Sequence, residues 1–319
     1  MRIVYASPKR DLRSLAFVSR TMDLLGFLLY PFGFKGFYRA SSLLSRLFPN
    51  DQRLMVVLGD DSKLLFCARD PYWLRLLCSR YVYEEEIDQV LKLMNAINYV
   101  FLDCGSNLGY WAVKVTGKDY GQHPTFAIEP VPETFKLLEE NNELNNNKFH
   151  AVQAAVYSDS GLNVTIAAGA GDSVANAGAH IIIGSSANKT IAIVKTVTIE
   201  QIVSEAGLDG CKLVVKLDVE GAEIPALEGA GSLLQGDVLL IYEDHGMNEN
   251  SVVSRYLLDL GFGIFWVSNG IVKKIDGIEQ IFKIKRNRSH GYNFFAARPD
   301  SSFYKLLLGA YAKSGKPKP

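Results

Sequence analysis

From residue 99 onward, the chain alternates short apolar runs with segments of helical periodicity. Five runs end in an acid or a turn, and they span residues 99–103, 124–129, 149–154, 213–218 and 238–243. Segments with helical spacing lie between most of them, including Pro132–Asn142 and Ile199–Ala206. Near-continuous apolar strands that alternate with helices are typical of a parallel sheet covered on both faces. The pattern therefore predicts an α/β fold with a doubly wound sheet.

Two further regions add β structure to this prediction. Residues 155–197 contain short β-branched runs around a glycine- and alanine-rich stretch, Ala168–Gly178. We interpret this region as a β insertion that carries a mobile loop beside the ligand site. Near the end of the chain, three more runs predict terminal strands at Ile264–Val267, Ile281–Ile284 and Asn293–Ala297.

The first eighty residues follow a different pattern. Residues 11–48 have helical spacing with a break near Pro31, and two apolar runs at 54–58 and 64–67 flank a turn signal, which predicts a β-hairpin. Helical spacing also covers 71–80 and 84–96. We predict three parts: 1–80, a helical segment and β-hairpin cap; 81–300, the main α/β domain; and 301–319, a C-terminal helix and flexible tail.

Composition excludes several classes of protein. The formal net charge of zero argues against a generally basic nucleic-acid binder, so we expect no nucleic-acid partner. Cys67, Cys78, Cys104 and Cys211 form no C-x-x-C pair, which argues against a zinc site and a disulfide framework. Reduced thiols and the lack of a recognisable secretory signal favour a cytoplasmic location.

The apolar stretch Leu24–Phe34 leaves a membrane association open. It is shorter than the roughly twenty residues needed to span a bilayer, and Pro31 and Gly33 interrupt it. Basic residues flank the stretch, so residues 11–48 are either a cap packed on the core or a peripheral membrane contact. A second basic run, 283–288, is either a solvated turn or an anion-binding element.

The first apolar run continues into Gly105 and Gly109, as a strand does when it enters a helix through a ligand-binding turn. Glycines relieve steric exclusion in such a turn, and the next helix offers unpaired N–H groups. A dinucleotide turn has the pattern G-x-G-x-x-G, but Asn107 stands two residues after Gly105 and the spacing is G-x-x-x-G. This turn is therefore not typical of a dinucleotide site.

Two acids indicate a different ligand. Asp103, at the strand end, repels a diphosphate and attracts a cation such as the amino group of an amino acid. Glu129 ends the second strand, where an acid can hold both hydroxyls of a ribose. Together they fit S-adenosylmethionine, an adenosine without phosphates that carries an amino-acid tail. If both acids only capped helices, the glycines and the spacing would have no explanation.

A second constellation follows the fourth strand. Lys216–Glu223 (KLDVEGAE) holds a lysine and three carboxylates, and the fifth strand ends in Ile241–His245 (IYEDH). Because ligands bind outside the carboxyl ends of the strands in a doubly wound sheet, these residues should face the same crevice as Asp103.

These motifs resemble the FkbM family of S-adenosylmethionine-dependent methyltransferases. The matching segments, in family order, are LDCGSNLGYWAV, FAIEPVPETFKLLEENNELNN, AAVYSDSG, VKTVTIEQIV, VKLDVEGAEIPALEGA and LLIYEDHG. Cys104 and Ser106 depart from the usual family residues but occupy compatible space. The resemblance implies a class I methyltransferase fold, which is Rossmann-like with a mostly parallel seven-stranded sheet and an antiparallel last strand.

The resemblance also implies the cofactor and its contacts. The expected cofactor is S-adenosyl-L-methionine, and the expected cofactor-binding residues are Asp103, Gly105, Ser106, Asn107, Gly109, Tyr110, Glu129, Pro130, Ala154, Ala155 and Asp218. Family members are mostly O-methyltransferases that act on sugars, glycolipids or natural-product hydroxyls. The expected partner is therefore a small-molecule or glycan acceptor.

Methyl transfer to a hydroxyl needs an aligned acceptor and a base. Asp218 and His245 are the two candidate bases, with Glu243 and Lys216 as further catalytic candidates and Glu220 and Glu223 as substrate-binding candidates. Asp218, Glu220 and Glu243 could instead bind Mg²⁺, although a salt-bridge network around Lys216 is the commoner outcome for such acids. An N- or carboxyl-acceptor, and a non-catalytic binding module, are the alternative functions.

Overall fold

An eight-stranded sheet forms the centre of this computed structural model, which describes residues 4–7, 12–59, 62–167, 180–182, 190–244, 251–286 and 292–314. Its strands are β4 (Val100–Cys104), β5 (Thr125–Ile128), β6 (His150–Val152), β11 (Leu213–Leu217), β12 (Val238–Glu243), β13 (Gly263–Ser268), β14 (Ile271–Ile275) and β15 (Asn293–Ala297). The order is β14-β13-β15-β12-β11-β4-β5-β6. β6, β5, β4, β11 and β12 are parallel neighbours, and β15 is antiparallel to β12 and to β13.

The predicted doubly wound sheet with an antiparallel last strand is confirmed. The sheet has one strand more than predicted, because β14 pairs with β13 through a two-residue turn at Asn269 and Gly270. The predicted terminal strand Ile281–Ile284 is wrong, since it lies inside helix α10 (Ile278–Lys285). Ile281 and Lys285 are both buried four residues apart, a helical spacing that a four-residue apolar run conceals.

Helices cover both faces of the sheet because the central strands are apolar on both sides. Alternation sends Phe101, Val214 and Leu239 to one face and Leu102 and Val215 to the other. The first face carries α4 (Glu85–Leu93), α5 (Tyr110–Val115), α6 (Pro132–Leu144) and α11 (Ser302–Ser314). The second carries α7 (Ile199–Glu205), α8 (Glu223–Glu228), α9 (Val252–Asp259) and α10.

The N-terminal segment packs on the first face. It consists of β1 (Val4–Ser7), α1 (Leu12–Leu29), α2 (Phe37–Ser45), β2 (Arg53–Val57), β3 (Lys63–Cys67) and α3 (Pro71–Leu74). The β2–β3 hairpin is confirmed, and β1, which no sequence pattern indicated, adds a third antiparallel strand. The buried residues of the N-terminal segment belong to the same hydrophobic cluster as Phe101. Packing therefore continues across the predicted domain boundary at residue 80, and the boundary itself stays a prediction.

The predicted β insertion is also confirmed. It consists of β7 (Ala155–Val156), β8 (Asn163–Ala167), β9 (His180–Ile182) and β10 (Thr190–Val197), in the order β7-β10-β8-β9. The stretch predicted as a mobile loop, Ala168–Gly178, lies outside the described residues.

A buried ion pair joins α10 to the end of β12. Lys285 and Asp244 are both buried, and the Lys285 Nζ lies 2.9 Å from the Asp244 Oδ1. Lys285 Nζ also donates to the Ser251 Oγ, and the hydroxyl of Ser254 donates to Asp244. Within the basic run 283–288, Lys285 is thus neither a solvated residue nor an exposed anion-binding group; residues 287 and 288 lie outside the described residues.

Removing one member of this pair leaves the other charge buried and uncompensated. We expect Asp244→Asn to lower the free energy of unfolding by about 3–5 kcal/mol. Urea unfolding followed by circular dichroism measures this loss. Asp300→Asn is the matched control, because Asp300 is paired with Arg298 at 4.0 Å but is 83% exposed. Equal stability of the two variants would contradict the structural role of the buried pair.

Candidate active site

A cavity of about 390 Å³ opens at the carboxyl ends of β4, β5 and β11. Among its lining residues are the following that the sequence predicted: Asp103, Gly105, Ser106, Asn107, Tyr110, Glu129, Pro130, Ala154, Ala155, Lys216, Asp218, Glu220 and Glu243. The two sequence constellations therefore meet in one cavity, as the doubly wound topology requires.

The turn after β4 needs glycine for two different reasons. Gly105 has φ +79°, and a Cβ there would lie 1.9 Å from the backbone oxygen of Asp218. Gly109 has φ +88°, and its Cβ would lie 2.6 Å from the Leu138 Cδ1. Gly105 thus allows the end of β11 to approach the turn closely, whereas Gly109 allows α6 to pack behind it. Gly105 lines the cavity, and Gly109 supports it from outside.

Asp103 is buried at the end of β4 and points into the cavity. Its Oδ1 has no hydrogen-bond partner among the described residues, and its carboxylate accepts the N–H of Ala112. Burial raises the pKa of Asp103 to about 7; Lys216 opposes the shift, and Asp218 and Glu84 add to it. A buried acceptor without a partner is costly for the fold, which points to a donor supplied by a ligand.

Glu129, at the end of β5, is held by backbone amides. Its Oε2 accepts the N–H of Asn107 and its Oε1 accepts the N–H of Val131, both at 2.9 Å. Asn107 reaches this position with φ +51°, in the left-handed region. Burial raises the pKa of Glu129 to about 7, while the two amides favour the ionised form. The carboxylate is fixed in direction and faces the cavity.

Lys216 is the positive charge of the site. It is 4% exposed, and its Nζ lies 2.8 Å from the Asp218 Oδ2. Burial opposes the charge, but Asp218, Glu84 and Asp103 outweigh it and hold the pKa of Lys216 well above its ordinary value. The parallel register places Lys216 directly beside Asp103, so both side chains lie on the same face of the sheet.

Glu84 is a site residue that the sequence patterns did not indicate. It precedes α4 with φ +44°, and its Oε2 accepts the indole N–H of Trp111 at 2.5 Å. Burial raises the pKa of Glu84, Lys216 opposes the shift, Asp218 adds to it, and a hydrogen bond from Asn293 favours the ionised form. No motif marks Glu84, because it reaches the site from a loop outside the strand–helix repeat.

Three carboxylates meet where β11 and β12 end and α4 begins. Glu84, Asp218 and Glu243 each offer an oxygen, and these oxygens lie within 4.8 Å of one another. The acid cluster that the sequence suggested contained Glu220 in place of Glu84. Glu220 lines the cavity as well, with φ +51° in the turn after β11.

Aromatic rings form the wall of the cavity on the side of the N-terminal segment. Trp73 stacks on Tyr110 at 5.9 Å between ring centroids, and Tyr83 meets Tyr110 edge-on at 4.9 Å. The hydroxyl of Tyr72 donates to that of Tyr83 at 2.9 Å. Of these rings, only Tyr110 was predicted. The dense run of aromatics between residues 72 and 83 is the signal that could have indicated the others.

Glu223, like Gly109, has a position that differs from expectation, and the position of His245 is not described. Glu223 does not line the cavity: it is buried at the start of α8, and its Oε1 accepts the N–H of Gly221 at 3.1 Å. It therefore stabilises the turn before the helix rather than lining the cavity. His245 lies outside the described residues, so its role as a base stays a prediction.

Comparison with solved structures gives distant similarity over much of the chain. The FkbM methyltransferase of Methylobacillus flagellatus KT is 13% identical with a TM-score of 0.41, over 62% of this chain and 43% of that one. A SAM-dependent methyltransferase of Agrobacterium tumefaciens is 10% identical with a TM-score of 0.35, over 77% and 70% of the two chains. A SAM-dependent O-methyltransferase of Thermotoga maritima is 12% identical with a TM-score of 0.34, over 80% and 96%.

Sequence comparison identifies the family. No curated protein matches the chain. The family described as the methyltransferase FkbM domain matches residues 103–294, which is more than half of the chain and includes the turn after β4 and the acids that follow β11. This protein belongs to the FkbM family of S-adenosylmethionine-dependent methyltransferases.

Proposed function

We propose that this methyltransferase transfers its methyl group to oxygen, on a hydroxyl of a sugar, glycan or glycolipid. The observation that supports this proposal is that Asp218 and Glu243 line the same cavity as the aromatic rings, and that Glu84 offers a third carboxylate oxygen within 4.8 Å of theirs. Carboxylates accept hydrogen bonds from several hydroxyls at once, and flat rings pack against the apolar face of a sugar. A natural-product hydroxyl has the same chemistry and is the main alternative acceptor.

The residues at the β4 and β5 ends fit the cofactor. The unpartnered Asp103 Oδ1 is an acceptor for the amino group of S-adenosylmethionine, and Glu129, fixed by two amides, is an acceptor for ribose hydroxyls. Gly105 leaves no side chain between the turn and the cavity. Ser106 also has a buried hydroxyl without a partner among the described residues, and Pro130, Ala154 and Ala155 complete a small, apolar wall.

S-adenosylmethionine supplies the methyl group on a sulfonium, so the remaining task for the protein is to orient the acceptor and remove its proton. We assign proton removal to Asp218 and acceptor binding to Glu243 and Glu220, with Glu84 in contact range behind Asp218 and Glu243. The ammonium of Lys216 lies 2.8 Å from the Asp218 carboxylate and fixes its position. The excess of negative charge around the cavity also suits a cationic cofactor.

Cofactor affinity should rise with pH. The pKa of Asp103 is about 7 in the free protein, so below pH 7 the carboxyl is largely protonated, whereas an ammonium partner requires the carboxylate. Binding of S-adenosylmethionine should therefore release protons at pH 6, and the affinity should increase until pH passes the pKa. Calorimetry in buffers of different ionisation enthalpy measures both effects.

Asp103→Asn is the variant that isolates this group. Loss of one charge-assisted hydrogen bond should weaken S-adenosylmethionine by roughly tenfold to a hundredfold. Because Glu129 has a pKa near 7 as well, the pH dependence should become shallower in the variant without disappearing. An affinity that is independent of pH in the unmodified protein would contradict the assignment.

The base assignment is tested by Asp218→Asn, with kcat and the dissociation constant for S-adenosylmethionine measured separately. Loss of a general base should lower kcat by roughly 10²–10⁴-fold. Glu86→Gln is the matched control: Glu86 is a nearby carboxylate that accepts a hydrogen bond from Asn293, and burial raises its pKa to about 6, but it does not line the cavity. Its kcat should be unchanged.

His245→Ala separates the two candidate bases that the sequence left open. If Asp218 takes the proton, the rate of His245→Ala should fall at low pH over the same pH range as the rate of the unmodified protein. If instead His245→Ala no longer loses activity at low pH, and Asp218→Asn keeps a near-normal kcat, then His245 is the base.

We further propose that Lys216, rather than Mg²⁺, supplies the positive charge beside Asp218. The lysine already occupies one side of that carboxylate at 2.8 Å, and its own pKa is raised. Turnover should therefore be unchanged by EDTA. Strong stimulation by added Mg²⁺ after EDTA treatment would instead favour a cation held by Glu84, Asp218 and Glu243.

A further inference from the structure

The N-terminal helices expose an unusual number of large apolar side chains. We call this surface the N-terminal face. Its members, all 43–66% exposed, are Phe17, Leu24, Phe27, Leu28, Tyr30, Phe32, Tyr38, Leu43 and Leu47. They lie on α1, on the short turn Tyr30–Phe32 and on or just after α2. Single exposed apolar residues are ordinary, but this concentration of them on two helices that contact each other marks a surface that something covers.

The opposite side of α1 is already packed against the protein. Leu15, Val18 and Met22 are buried in the main hydrophobic cluster. At Gly26, a Cβ would lie 2.2 Å from the Cys78 Sγ, so this helix rests directly on the segment after α3. Leu15–Phe32 is long and apolar enough to cross a membrane by composition, yet doing so would require unpacking this buried side. The geometry instead suits a helix that lies along a surface.

The charge of the N-terminal segment indicates what binds to the N-terminal face. Residues 12–50 contain five basic residues and one acid, Asp23, although the whole chain has a net charge of zero. Asp23 accepts hydrogen bonds from the amide and hydroxyl of Ser79, so it is turned toward the protein. Arg20, Lys35, Arg39 and Arg46 are exposed around the apolar residues. Apolar residues with a basic border are the pattern of helices that bind anionic lipid headgroups.

The same charge pattern disfavours a second copy of the chain as the occupant. A two-fold interface brings the same patch of both subunits together, so basic borders would face basic borders. Anionic lipid offers the complementary charge and also accepts the exposed rings at the headgroup level. We propose that the N-terminal face docks this methyltransferase on an anionic bilayer, with α1 lying in the plane of the membrane interface.

The N-terminal face is connected to the cavity through side-chain contacts. Tyr38, at its edge, lies under the guanidinium of Arg75, and the same guanidinium lies 4.5 Å from the ring of Tyr72, which lines the cavity. The hydroxyl of Ser41 on α2 donates to the backbone oxygen of Pro71 at 2.7 Å, which fixes α2 to α3. An acceptor anchored in the bilayer would thus arrive next to the aromatic wall. This extension, that the acceptor is a membrane-borne glycolipid, rests on the proposed function.

Vesicle flotation of the full chain tests the docking surface without any methyl transfer. The protein should float with vesicles of phosphatidylcholine mixed with phosphatidylglycerol, and weakly with phosphatidylcholine alone. Raising the salt from 0.1 M to 1 M, which shortens the Debye length from about 10 Å to about 3 Å, should weaken binding. The triple variant Phe17→Ser, Leu24→Ser, Phe32→Ser should lose vesicle affinity by at least about tenfold.

Matched controls separate this surface from general effects. Ile193→Ser with Val252→Ser and Leu308→Ser removes exposed apolar residues elsewhere and should leave vesicle binding unchanged. Arg20→Glu with Arg46→Glu should weaken binding, whereas Lys136→Glu with Lys305→Glu, at exposed lysines on α6 and α11, should have less effect. Circular dichroism and S-adenosylmethionine calorimetry should be the same in all four variants.

Three results would overturn the proposal. The first is unchanged flotation of the triple variant. The second is a dimer in sedimentation that the triple variant dissociates, with no vesicle binding, which would assign the face to a second copy. The third is resistance of the cellular protein to extraction by alkaline carbonate, which would assign it to a spanning helix.

A separate comparison addresses the acceptor. The triple variant should lose turnover on a glycolipid in vesicles and keep it on the soluble headgroup. If the unmodified protein methylates neither but still floats, the proposed function fails and the docking surface stands.

Discussion

The burial of one ammonium group among carboxylates constrains the whole site. Lys216 is almost fully enclosed, and an unpaired charge there would cost several kcal/mol, so the acids around it are structurally required as well as chemically useful. The register sets Lys216 beside Asp103, and the close approach at Gly105 brings Asp218 to the same point. Once these are fixed, the cavity is left with more negative than positive charge, and a cationic ligand completes the balance.

Much of this arrangement could be predicted from the sequence, because it follows from strand ends. Parallel strands in a doubly wound sheet place their carboxyl ends at one edge. Once the strands are recognised in the sequence, it follows that Asp103, Glu129 and Asp218 converge. The sequence prediction was wrong where an apolar run was too short to distinguish a strand from a helix. Ile281–Ile284 reads as a strand over four residues, and only burial of Lys285 one turn later shows the helix.

The features that the sequence could not indicate depend on contacts between distant segments. Asn141 of α6 and Asn145, the residue after this helix, bond to the backbone of β3 at Leu65 and Lys63. Two side chains thus complete a strand edge that no repeat or motif predicts. Asn141 also donates to the backbone oxygen of Leu108, in the cofactor turn. The N-terminal hairpin is therefore tied directly to the site, a connection visible only in three dimensions.

The lining of the cavity comes from two parts of the chain. The turn after β4, Glu129 and the acids after β11 lie within residues 103–294, which the family match covers. The preceding segment supplies three rings of the aromatic wall, Tyr72, Trp73 and Tyr83. It also supplies Glu84, one of the three clustered carboxylates. Under the proposed function, residues 103–294 supply the cofactor contacts and the acids Asp218, Glu220 and Glu243, whereas the preceding segment adds rings to the same cavity, so both parts of the chain line it.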